Sequence, residues 1–324
     1  MPLWLYFLVA AVSFGGTFLA LVEIIPLLAR AGIVGKDLHK PDKPEIPEMG
    51  GLGTLVGISG GLVLVIGAEA FLGIGTDVRT LLAVLSTVLI VAFIGVFDDL
   101  LDIRQIYKSI SPVFAALPLM AIRAGATTLS FPLFGKLDFW IFYPLFLIPL
   151  GVTGAANAVN MLAGFNGMEV GIGIVALGSL AVIAGFTESV VALCILVIGL
   201  AALLPALYFN WYPARIMVGD VGTLTIGAIM ASAVIVGNFE TAGVIIIIPH
   251  FIDFLFKAAS GFPSSGWKGE LGNDGKLRCP NGRPVSFPQF VMKLTGGISE
   301  RALVLTFIGI EAAFGGMAIC LYLC

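Results

Sequence analysis

Charge is what this sequence has least of. Asp, Glu, Lys and Arg make up only 11% of its 324 residues, where a soluble domain carries about a quarter. With no basic face, the chain is excluded as a nucleic-acid binder. The net charge of −3 says nothing about partners. Histidine is nearly missing: His39 and His250 stand alone, and no pair has metal-ligand spacing. The four cysteines, Cys194, Cys279, Cys320 and Cys324, lack the spacing of a zinc site or a disulfide framework. There is no Walker loop, no HExxH and no GxSxG. The opening Met1-Pro2-Leu3-Trp4 lacks the basic n-region and small-residue cleavage site of a secretory signal, so it reads as the start of a membrane helix.

Apolar bulk is what the chain has instead. Hydrophobic residues reach 59%, 41 glycines accompany them, and the mean hydropathy is +1.07. The apolar runs are long and unbroken, whereas a membrane β-barrel alternates over segments of about ten residues. The fold class is therefore an all-α polytopic membrane protein. Ten spans are predicted, at about 3–29, 51–73, 80–97, 110–124, 139–157, 168–186, 189–209, 221–237, 241–258 and 302–323. The fourth is short and holds Pro112 and Pro118. Residues 127–138 read as a small hairpin at the membrane surface, with Gly135-Lys136 as its turn. The polar stretch at about 259–300 is too short for a core of its own, so 1–324 reads as one integral membrane domain. No internal repeat is visible. Of the 17 Lys and Arg, only Arg79, Arg123 and Lys136 fall on one side of this topology. The basic excess places the other loops in the cytoplasm and both termini outside.

The polar chemistry gathers on that same face in four clusters. Asp98-Asp99-Leu-Leu-Asp102 ends the third span; Asp98 and Asp102 share a helical face and Asp99 sits about 100° round. Arg104 and Lys108 follow, also at i,i+4. Such a segment suits a divalent metal or a proton and then a phosphate, or is simply a solvated helix end. Asn157, Asn160 and Gly164 lie at i, i+3, i+7, one stripe leaving the membrane, before Phe165-Asn166-Gly167-Met168-Glu169. Amides at membrane depth need partners, either a neighbouring helix or a metal and a polar ligand. Asp220 follows Asn210-Trp-Tyr-Pro-Ala-Arg215 and is flanked by Gly219 and Gly222; it reads as a helix cap or a metal ligand with close backbone approach. The loop Lys36–Gly51, with three prolines, would hold an anionic ligand or anchor to headgroups. Glu23, Glu69 and Glu311 lie in apolar runs and read as structural pairs. Carboxylates, amides, cations and glycine turns on one face are a kit for phosphoryl transfer with Mg²⁺, and the membrane supplies a lipid as one reactant.

These motifs, DD-x-x-D-x-R, NAVNMLAGFNGMEVG, NWYPARIMVGD and the KDLHK…IPEMGG loop, resemble the polyprenyl-phosphate N-acetylhexosamine-1-phosphate transferase superfamily. The likeness is to its eukaryotic and archaeal UDP-GlcNAc–dolichyl-phosphate branch and spans most of the chain. It implies transfer of GlcNAc-1-phosphate from UDP-GlcNAc to a polyprenyl (dolichyl-type) phosphate, the first step of lipid-linked oligosaccharide synthesis for N-glycosylation. Carried over by motif, Asn160 and Asp220 hold Mg²⁺, with Mn²⁺ the alternative. Asp98, Asp99 and Lys108 are catalytic; Lys108, Asn157 and Asp102 bind lipid phosphate or diphosphate. Leu38, Lys40, Glu48, Asn166, Gly167 and Met168 bind the nucleotide sugar. The chain departs from the family in the last cytoplasmic loop, where an Arg-His-Arg element is missing; either Lys268, Arg278 or Arg283 replaces its charge, or the loop recognises the sugar differently. That leaves another UDP-HexNAc or UDP-MurNAc-pentapeptide as the alternative donor. The implied setting is a multi-pass protein of the cell membrane in a prokaryote, or the ER membrane in a eukaryote, with a cytoplasmic site; a homodimer is compatible with it. A transporter is the rival from another class, but it would place its polar sites at the midplane and carry paired repeats.

Overall fold

The computed structural model describes residues 1–101, 103–131, 135–263, 266 and 268–323. Asp102 and Cys324 lie outside them. Eight helices among the described residues are long and apolar enough to cross a membrane. They are α1 (Leu3–Ala31), α2 (Gly51–Leu72), α3 (Val78–Leu101), α7 (Ile148–Met161, entered through a π-helical turn from Tyr143), α8 (Met168–Phe186), α9 (Val190–Asn210), α10 (Gly219–Gly237) and α14 (Glu300–Leu323). A ninth span is the pair α11 (Glu240–Ile246) and α12 (Ile248–Ala259), bent by 54°. The bend falls at Ile247, just before Pro249, which has no N–H to continue the ladder.

The predicted fourth span is not one continuous helix. It winds as three short pieces, α4 (Gln105–Ile110), α5 (Pro112–Ala115) and α6 (Leu117–Ala121). Pro112 and Pro118 sit in the first turn of the second and third pieces, where they cannot donate to the turn before. Residues 127–138 do form a hairpin: β3 (Thr128–Phe131) pairs antiparallel with β4 (Gly135–Asp138), Thr128 opposite Asp138. Two smaller hairpins lie at the other end, β1 (Val34–Lys36) with β2 (Glu45–Pro47), and β5 (Glu270–Leu271) with β6 (Leu277–Arg278).

Apolar side chains such as Phe7, Phe71 and Leu150 point outward, as lipid-facing residues do. At the centre stands α10, with 83% of its apolar window buried against 22% for α1. Small residues let the neighbours approach that closely. A Cβ on Gly51 of α2 would lie 2.2 Å from the Gly222 nitrogen, and one on Gly95 of α3 would lie 2.4 Å from the Val221 Cα. One on Gly227 would lie 2.4 Å from the Ala155 oxygen of α7. The backbones of α2, α3 and α7 thus press on α10, the first two beside Asp220. The polar stretch near 259–300 holds the third hairpin and α13 (Phe287–Leu294). It shares its core with the bundle: Leu277, Val291 and Met292 pack with Phe165, Met168 and Phe307.

Candidate active site

Residues of seven helices (α3, α4, α7, α8, α9, α10 and α12) and of the loops beside them meet at one end of the bundle around a cavity of about 420 Å³. Its reaction half is built on α10. Asp220, the second residue of that helix, receives the Lys108 ammonium on Oδ2 and the Asn160 amide on Oδ1, the latter at 2.5 Å. Lys108 also lies 2.5 Å from Asp98 Oδ2. Asn160 donates a second bond to Thr223 Oγ1 at 2.8 Å. Burial alone would lower the pKa of the Lys108 ammonium; the Asp220 and Asp98 carboxylates outweigh it and hold the group above the ordinary lysine value.

Asp99 does a different job. Its two oxygens accept the backbone N–H groups of Asp220 and Val221 at 2.8 and 3.0 Å, so it caps α10 from outside that helix. Asn157 lies behind the cavity: its amide donates to the Ser109 carbonyl at 3.0 Å and the Thr153 carbonyl at 2.9 Å, fastening α7 to the piece that carries Lys108.

The other half of the cavity is made by loops. Residues 45–51 are zipped to 216–218: Met217 donates to the Pro47 carbonyl at 2.8 Å, and Gly50 and Gly51 donate to the carbonyls of Met217 and Val218 at 2.9 and 2.8 Å. This brings Glu48 to the cavity wall, where burial raises its carboxyl pKa, Lys268 counteracts and Asp220 adds to the rise. Leu38 and Asn166 line the wall as well. Asn166 is held by its Oδ1, which accepts the Ala214 N–H at 3.0 Å, and by its own N–H, which donates to Glu300 Oε1 at 2.9 Å. Gly167 and Met168 stand behind it. Gly167 has φ +87° and a Cβ there would lie 2.7 Å from the Trp211 ring. Its N–H donates to Asn210 Oδ1 at 3.0 Å, and Met168 is fully buried in the core. Lys40 is buried in an ion pair with Asp37 at 2.9 Å and Glu300 at 2.5 Å.

Of the predicted loop cations, Lys268 reaches the cavity. Arg278 is spent on Asp274 at 2.7 Å on the exposed surface, and Arg283 is exposed and away from the lining. Sequence reasoning missed Thr223, one turn beyond Asp220, and Lys257, whose ammonium lies 2.8 Å from Asp253 and also meets the Met161 carbonyl. It missed Glu300 entirely, an acid at the mouth of an apolar span. Asp37, His39 and Glu300 have ligand atoms within 4.8 Å of one another, but the cation among them is the Lys40 ammonium.

An oxygen-rich donor set fits a hard divalent cation. Asp98, Asp220 and the Thr223 hydroxyl supply oxygens, and the Asn160 side chain, whose NH2 now faces them, would add its carbonyl on a half-turn of the amide; Lys108 sits among them as the cation those carboxylates require.

Residues 81–238 match the family described as Glycosyl transferase family 4. A protein of Saccharolobus solfataricus named "Putative UDP-N-acetylglucosamine--dolichyl-phosphate N-acetylglucosaminephosphotransferase" is 36% identical over 317 residues, covering 96% of this chain and 94% of the relative. The UDP-N-acetylglucosamine--dolichyl-phosphate N-acetylglucosaminephosphotransferase of Dictyostelium discoideum is 27% identical over 96% of this chain and 83% of its own. A Bacillus subtilis protein named "Probable undecaprenyl-phosphate N-acetylglucosaminyl 1-phosphate transferase" is 26% identical over 74% of this chain and 67% of its own. With its motifs gathered around one cavity and a relative this similar along nearly its whole length, the chain belongs to glycosyl transferase family 4.

Proposed function

We propose that this chain transfers GlcNAc-1-phosphate from UDP-GlcNAc to a dolichyl-type polyprenyl phosphate, releasing UMP and GlcNAc-diphospho-polyprenol. A lipid phosphate oxygen attacks the β-phosphorus of the donor. The bond from that phosphorus to the bridging oxygen breaks, and the electron pair leaves with UMP. The observation that carries the reading is the convergence of Asp99, Lys108, Asn160 and Asp220, from four separate segments, on one cavity at the end of a membrane bundle, with Asp98 paired to Lys108 beside it.

Asn160 and Asp220, with Asp98 near them, would hold Mg²⁺ on the diphosphate, and the ion would neutralise charge developing there. The protein's own groups do the rest. Lys108 moves its positive charge from the carboxylates to a phosphate oxygen. Asp98, released from Lys108, faces the entering lipid phosphate, whose second pKa is near neutral and needs no strong base. Asp99 keeps the first turn of α10 in place, so that Asp220 stays fixed while charge is redistributed. Leu38, Glu48, Asn166 and Lys268 form the walls for the nucleotide sugar. The loops at this end carry nearly all the Lys and Arg, which supports a cytoplasmic site.

The test is a panel of radiolabelled sugar nucleotides offered one at a time to the purified chain with dolichyl phosphate and Mg²⁺. Label from UDP-GlcNAc should enter the lipid fraction. Transfer from another UDP-HexNAc or from UDP-MurNAc-pentapeptide, with none from UDP-GlcNAc, would refute the donor assignment.

A further inference from the structure

The acid that no motif contains ties the donor pocket together. Glu300 is the first residue of α14, buried to 4% exposure, and it is absent from the cavity lining, so it does not touch a ligand there. Its Oε2 accepts the Lys40 ammonium at 2.5 Å and its Oε1 accepts the Asn166 N–H at 2.9 Å. Lys40 and Asn166 belong to two adjoining segments of the wall, the loop after α1 and the turn before α8. A third segment closes on the next residue. Arg301 lies 4.5 Å from the centre of the Tyr212 ring, and Lys40 lies 4.2 Å from the same centre. Asn166 in turn accepts the Ala214 N–H at 3.0 Å. His39, stacked on Phe165 at 4.6 Å, has its Nδ1 3.7 Å from Glu300 Oε1.

Two consecutive residues of α14 therefore set the spacing of three loops that are far apart in sequence. Without the Glu300 carboxylate, a buried ammonium keeps only the Asp37 carboxylate and the face of the Tyr212 ring, and a buried backbone N–H is left without its charged acceptor. The reaction half of the cavity depends on none of these bonds, because Asp98, Lys108, Asn160 and Asp220 are held by α3, α4, α7 and α10. We infer that Glu300 is a positioning residue for donor recognition: it fixes the distance between the Lys40 loop and the Asn166 turn, and so governs UDP-sugar binding while leaving the chemistry and lipid binding alone. This rests on the reading that the cavity takes a uridine nucleotide.

The experiment uses the full chain in detergent. UDP binding is measured by calorimetry, and KM for UDP-GlcNAc, KM for dolichyl phosphate and kcat by steady-state kinetics. The variants are Glu300→Gln, Lys40→Met and the double variant, with thermal unfolding as the check on folding. Glu300→Gln should weaken UDP binding and raise the UDP-GlcNAc KM about tenfold, with the lipid KM and kcat within about twofold. The double variant should be no weaker than the weaker single, because both remove one interaction. A rise in both KM values together, a fall in kcat alone, unchanged UDP binding or additive losses would each overturn the inference. If Glu300→Gln does not fold, Lys40→Met must give the UDP-specific loss by itself, and failure to do so is equally decisive. Wild-type protein that binds no UDP overturns the functional reading and this inference together; wild-type binding with unaltered variants overturns this inference only.

Discussion

The two ends of the helix bundle hold cavities of nearly the same size and opposite character. The one at the Asp220 end encloses about 420 Å³ and the one at the hairpin end about 440 Å³. The second is lined by Asp77, Arg79, Arg123, Glu188 and Asn238; the Asp77 carboxylate bonds locally, to Thr80 three residues on, and the bonds that cross the chain there are made by neutral groups, such as the Ala126 N–H to Asn238. Around the first, charges are taken out of water and paired across the chain: Lys108 with Asp220, Lys40 with Glu300. Pairing buried charges is costly and yields little net stability. Among the described residues, buried lysine–carboxylate pairs occur at that end only, which marks the end where charge is handled; volume alone does not distinguish the two.

The comparison breaks most visibly at Asp220. Asp220→Ala should lower kcat by about 10³-fold or more while the protein still folds, since it removes charge stabilisation at the reacting phosphate; near-normal turnover in the lipid-product assay would remove this cavity from contention. Lys108→Ala comes next. It leaves Asp98 and Asp220 facing one another without a cation, and should cost about 3 kcal/mol of stability in thermal or denaturant unfolding. Added Mg²⁺ should restore part of that loss if the same carboxylates accept a divalent ion.

Asp99→Asn separates two roles that the sequence could not. An amide oxygen can still accept a backbone N–H, so a cap should lose only about 1 kcal/mol of stability, with kcat reduced about tenfold. Loss equal to that of Asp220→Ala would place Asp99 in the chemistry instead. At the opposite end, Arg123→Ala should change kcat and both KM values less than about twofold, as surface changes away from a site do. The smallest effect belongs to Asp274 in the third hairpin. The Arg278 side-chain hydrogen bond holds its carboxyl at about 2. A depressed folded-state pKa stabilises above the ordinary carboxylate range, and that contribution is lost as pH falls through about 2. Both groups are exposed, so Asp274→Asn should leave turnover at neutral pH unchanged and soften only the acid limb of a stability profile.

Much of this was legible in the sequence because the relevant signals are periodic. Long apolar runs gave the spans, and Asn160 and Asp220, each read from its own motif, meet at 2.5 Å. The fourth span was overdrawn, although Pro112 and Pro118 carried the warning. Asp98 and Asp99 show the limit of motif reading. They are adjacent and chemically identical, yet about 100° apart on α3, so one faces Lys108 and the other the first turn of α10. Which is which depends on where α10 crosses, and glycine contacts at Gly51 and Gly95 decide that. Asn157 and Met168 fell within a site motif yet serve packing, because a helical stripe says which residues share a face and not what that face meets. Glu300 gave no signal, since its partners lie 260 and 134 residues away. The loop cations were unreadable for a related reason: only the folded path of 261–299 separates Lys268, at the cavity, from Arg278, paired on the surface.

The most direct test of the central claim is the nucleotide released during turnover. Purified protein given UDP-GlcNAc, dolichyl phosphate and Mg²⁺ should release UMP in step with lipid product, and the Asp220→Ala variant should release none. Release of UDP would mean that the sugar–phosphate bond had broken instead, and would contradict transfer of the sugar phosphate at this site.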